Sequence, residues 1–81
     1  MNIDTAIRNA FLDLKNKNIK SALLDSEILM SKVLNQDRSK IILNLERKLD
    51  NKDYKLFRKL IISRLKNKPI AYLIGKKFFW K

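Results

Sequence analysis

The chain has 81 residues, 46% hydrophobic and 33% charged, with a formal net charge of +11. That describes one small domain with enough apolar side chains for a core, and not a disordered chain. Cys and His are missing from the composition, which excludes disulfides, Cys/His zinc sites, thiol nucleophiles and imidazole catalysis.

The elements follow in chain order from caps and periodicity. Asp4 is the expected N-cap of a first helix to about Leu14, with Ile3, Ile7, Ala10, Phe11 and Leu14 at helical spacing. Ser21 is expected to cap a second helix to about Asn35. Its apolar set is wide (Ala22, Leu23, Leu24, Ile28, Leu29, Met30, Val33, Leu34), so it should lie at the centre. Asp37 caps a short third helix through Ile41, Ile42 and Leu43. Asp50 caps a fourth, with Asp53 beside the positive end of its dipole and a core stripe of Tyr54, Phe57, Leu60, Ile61 and Leu65. Pro69 and Gly75 bracket a short fifth helix, in the N1 and C′ places those residues favour. The tail, with Phe78, Phe79 and Trp80, reads as the start of a strand. One Gly and one Pro are too few for the tight turns of a sandwich or barrel. The expected fold is therefore all-α: a compact bundle of four to five short helices with an extended aromatic tail. A lone strand is not stable, so the tail either packs on the bundle or is cut before its partner, and the cut is the expectation.

Two charges lie in apolar stripes, Arg64 on the fourth helix and Glu27 on the second. An unpaired buried charge costs several kcal/mol, so the expectation is a Glu27–Arg64 ion pair between the two longest helices. Asp25 falls on the polar side of the second helix. The whole excess of positive charge sits in residues 38–81, where 14 basic side chains face three acidic ones. Lys52, Lys55, Lys59 and Lys66 form a stripe opposite the core side of the fourth helix. This is a candidate docking face for an acidic partner. A plain solvated face, enlarged by the Lys, Ile and Asn bias of A/T-rich coding, explains it as well.

The functional reading is of a binding module. A single Gly cannot build a phosphate-cradling loop. The longest apolar run, Ile70 to Ile74, is far short of the ~20 residues a membrane helix needs. With no apolar leader at the N-terminus, the expected compartment is the cytoplasm.

Pro69-Ile70-Ala71-Tyr72-Leu73-Ile74-Gly75, followed by Phe78-Phe79-Trp80, resembles the segment P-[LI]-A-Y-[IL]-x-G…F-W. That segment closes the N-terminal domain of the HemK/PrmC family, the peptide-chain release factor glutamine methyltransferases. Ser21 to Leu34 is similar to that family's A-R-L-D-A-E-L-L-L-x-x-V-L helix. Asp37-Arg38 resembles its D-R, and Arg64 with Pro69 its R-[RL]-x-x-x-x-P run. Lys68 departs from the acidic residue or Gln common before the Pro.

The resemblance implies a helical substrate-docking domain over residues 1–75. Residues 76–81 would begin a linker to a methyltransferase domain that lies outside this chain. Pro69, Tyr72, Gly75, Phe78, Phe79 and Trp80 would pack against linker or neighbouring domain. The family transfers a methyl group from S-adenosylmethionine to the Gln of a release factor's GGQ motif, with an N-P-P-Y motif and a Gly-rich loop in the second domain. Neither occurs here, so no catalytic, cofactor-binding or metal residue carries over. The implied partners are the release factor, which offers acidic surface, and the enzyme's own second domain. The alternative is a stand-alone basic module that binds nucleic acid through helices two and three; it leaves only Arg38 and Lys40 to enter a groove.

Overall fold

The computed structural model describes residues 1–74, and these form five helices. They are α1 (Ile3–Asn16), α2 (Ala22–Leu34), α3 (Arg38–Leu43), α4 (Asn51–Leu65) and α5 (Ile70–Ile74). The expected aromatic strand at 76–81, with Gly75, lies outside the described residues. α2 is central, packing against each of the other four helices. α5 sits on α2 and α4. The core consists of Ile3, Ala6, Ile7, Ala10 and Leu14 from α1, Ala22, Leu29 and Met30 from α2, Ile41 from α3, Phe57 and Ile61 from α4, and Leu49 from the loop before α4.

α1 starts differently from the expectation. Its N-cap is Asn2, whose side chain accepts from the Thr5 N–H at 2.8 Å. Asp4 lies inside the first turn and pairs with Arg8. The first N–H groups of a helix lack intrahelical partners, and here all are satisfied. Ile3 N–H donates to Arg47 O at 3.0 Å, Asp4 N–H to Leu45 O at 2.9 Å, and Ala6 N–H to Asn2 O at 3.2 Å. Leu49 N–H donates to Met1 O at 2.8 Å. The loop before α4 is thus stitched to the N-terminus, which seats Leu49 in the core.

The helix ends explain how one Gly suffices. Asn18, Asn35 and Asn67 have φ of 63°, 55° and 69°, in the left-handed region that Asn tolerates best after Gly. Each follows one of the three long helices and closes the same double hydrogen bond. Asn18 N–H reaches Lys15 O and Ile19 N–H reaches Leu14 O. Asn35 reaches Lys32 O and Gln36 reaches Ser31 O; Asn67 reaches Arg64 O and Lys68 reaches Ser63 O. These are Schellman endings, with Asn in the usual place of Gly.

α2 is turned away from its expected face. Leu23 and Leu24 are exposed, while Asp25 and Ser26 are buried beside Ala22, Leu29 and Met30. The small side chains of Ala22 and Ser26 lie on the inward side, and Ser26 Oγ donates to Ala22 O at 2.8 Å, so its burial leaves no hydroxyl unsatisfied. α4 follows expectation: Phe57 and Ile61 are buried, with Tyr54, Leu60 and Leu65 packed around them.

Candidate docking site

Asp25 and Glu27 are two residues apart on α2, so they project in nearly opposite directions. The structure uses both. Arg64 Nε of α4 donates to Asp25 Oδ2 at 2.9 Å, and Asp25 is only 4% exposed. Arg64 Nη1 also donates to the Lys68 carbonyl at 3.2 Å, immediately before Pro69. One guanidinium therefore ties α2, the last turn of α4 and the entry to α5. On the other side, Arg38 Nε of α3 donates to Glu27 Oε1 at 3.0 Å.

The expected Glu27–Arg64 pair does not form. Both residues are paired, but with other partners. Leu23 and Leu24 draw the apparent apolar arc of α2 toward Glu27, whereas burial of the small Ala22 and Ser26 turns Asp25 inward to Arg64.

Four of the five arginines are paired; Arg47 is exposed and makes no ion pair among the described residues. Besides Arg64 and Arg38, Arg58 Nη2 meets Asp13 Oδ2 at 2.8 Å between α4 and α1, and Arg8 meets Asp4 along α1. Arg58 Nη1 is buried without a partner. Lys52, Lys55, Lys59 and Lys66, in contrast, are all exposed, and none makes an ion pair among the described residues. The stripe read from the sequence is thus an open cationic face along α4. Pro69 and Tyr72 are exposed on and beside α5, and the Lys68 ammonium lies 5.1 Å from the centre of the Tyr72 ring. Gly75, Phe78, Phe79 and Trp80 fall outside the described residues.

Two open clefts accompany these surfaces. One, of about 460 Å³, lies between the end of α2, the start of α3 and Ile74; the other, of about 580 Å³, lies between the N-terminus and the start of α4. Arg38, one of the two cations α3 offers to a groove, is held by Glu27. Among the described residues no group of three or more acidic, His or Cys side chains is placed to hold a metal, and no helix is long and apolar enough to cross a membrane.

The motif charges thus close onto one another in a five-helix bundle, and a family model described as the PrmC N-terminal domain matches residues 5–75. The chain belongs to the PrmC N-terminal domain family. A release factor glutamine methyltransferase of Leptospira interrogans is 45% identical over 67 residues, which is 83% of this chain and 23% of that protein. A protein of the same description from Buchnera aphidicola subsp. Schizaphis graminum is 38% identical over 80 residues, 99% of this chain and 28% of that protein. A bifunctional methyltransferase of Rickettsia felis is 39% identical over 62 residues, 76% of this chain and 12% of that protein. The chain therefore spans 12% to 28% of the length of these relatives. No solved structure matches it. Within the family fold, Asp25, Glu27, Arg38 and Arg64, all part of the motifs read from the sequence, act as braces between helices.

Proposed function

We propose that this chain is the substrate-docking domain of a release factor glutamine methyltransferase. Residues 1–75 hold the release factor, and residues 76–81 begin the linker toward the part of the enzyme that transfers the methyl group. The observation that carries this reading is the family match across residues 5–75. The relatives' names supply the activity and the substrate. The cytoplasm, where translation terminates, is the matching compartment.

S-adenosylmethionine, the methyl donor this reading implies, does not fit the residues present. The cleft at Ile74 is lined by Ile28, Ile74 and polar or charged side chains, and the one at the N-terminus by Met1, Ile3, Leu34 and Leu49 among charges. Among the described residues neither cleft offers an aromatic ring for adenine or a Gly-rich turn for close backbone approach. No chemical step is assigned to these residues.

The test is kinetic. In a longer methyltransferase carrying this chain, removal of residues 1–75 is expected to raise KM for the release factor roughly tenfold or more while kcat changes little, the signature of lost binding without lost chemistry. A fall in kcat at unchanged KM contradicts a docking role.

A further inference from the structure

The outward side of α4 carries more than charge. At about 100° per residue, two exposed aliphatic side chains and four lysines, the last of them the C-cap Lys66, share an arc of about 120°. Ile62 stands at one margin, Lys55, Lys66, Lys59 and Lys52 follow, and Leu56 stands at the other. Leu56 is 47% exposed and Ile62 45%. A single exposed aliphatic needs no explanation. Here two flank a rib of four lysines without carboxylate partners, on a helix whose opposite side is anchored by fully buried Phe57 and Ile61.

The make-up of this face selects the chemistry of its partner. Both arginines of α4, the residues suited to bidentate phosphate contacts, are turned away to Asp13 and Asp25. A nucleic-acid backbone would meet the lysines but gain nothing from Leu56 and Ile62. An acidic protein surface with apolar side chains among its carboxylates would use both sets. We propose that this face of α4 is where the release factor docks, through such a surface; the inference rests on the release-factor reading and adds its location. Lysine charge accelerates encounter. Leu56 and Ile62, desolvated on contact, set how long the complex lasts.

Association and dissociation rates of the 81-residue chain with a bacterial release factor, at about 50 and 300 mM salt, separate these roles. Lys55→Gln/Lys59→Gln is expected to slow association roughly fivefold at low salt, with the difference fading at high salt and dissociation almost unchanged. Leu56→Ala/Ile62→Ala is expected to speed dissociation roughly tenfold at both salts. Leu56→Met/Ile62→Met, which keeps the apolar area, should dissociate like the parent. Circular dichroism and thermal unfolding of each variant guard against misfolding. If the parent binds and neither pair changes the rates, this location is wrong and the release-factor reading survives. A response to the lysine pair alone removes the apolar anchors and overturns the proposal. If the parent fails to bind the release factor, the functional reading falls with it. Tighter binding to duplex nucleic acid than to the release factor overturns the protein partner.

Discussion

The two sides of α4 use charge in opposite ways. On the inner side, Arg64 reaches a carboxylate that is 4% exposed and a backbone carbonyl, fixing where α5 begins. On the outer side, four lysines face solvent without carboxylate partners. The planar guanidinium, with several fixed donors, suits a brace that must satisfy two acceptors at once; the flexible ammonium suits a surface that acts through its field. The 19 basic side chains therefore include two physical roles. The paired arginines belong to the fold, and the outer lysines of α4 supply potential at the surface.

The strongest way to break this contrast is Arg64→Met. It leaves Asp25 buried without a partner, a loss of about 3 kcal/mol, which for so small a domain is a large share of the total. Urea unfolding measures it. The paired change Asp25→Leu/Arg64→Met removes both charges and should be less damaging than the single one. Equal losses would mean that the ion pair is not coupled. Next come the backbone devices. Asn67→Ala puts a Cβ-bearing residue without Asn's tolerance at φ 69°, and should lower stability by about 1 kcal/mol. Asn2→Ala removes the cap of α1, also at about 1 kcal/mol. Arg38→Ala tests a half-exposed pair and should cost no more than ~1 kcal/mol. Lys55→Gln/Lys59→Gln should leave stability within about 0.5 kcal/mol. A larger loss would give the outer lysines a structural part and blur the contrast.

Much of this was legible before the fold was seen. The N-cap positions of Asp37 and Asp50, the core stripe of α4 and the short helix after Pro69 follow from local rules, because each depends on neighbours in sequence; neither aspartate, however, makes a side-chain capping hydrogen bond. The misreadings came where the answer depended on distant chain. Asp4 looked like the cap of α1, but the loop at residues 45–49 extends the helix start to Asn2 by supplying carbonyls. The spacing of Asn2 and Thr5 was the available signal. α2 was rotated in the reading because leucine outweighs alanine and serine in any hydropathy sum, whereas the packed interface selected the small residues. Arg64 and Glu27 both need partners, as their places in apolar stripes imply, but the carboxylate that Arg64 takes is Asp25, which periodicity puts on the polar side. Counting Gly and Pro as turn-makers also missed the three asparagines that end the long helices. For the candidate site, lysine exposure was legible from periodicity, while the flanking exposure of Leu56 and Ile62 was not, since a leucine or isoleucine beside the core stripe reads as buried.

The central claim, that this bundle holds a release factor, is tested most directly by calorimetric titration of the 81-residue chain into a bacterial release factor over a series of salt concentrations. The account predicts a one-to-one complex whose affinity falls as salt rises. No complex at about 50 mM salt, or equal affinity for an unrelated acidic protein, would contradict it.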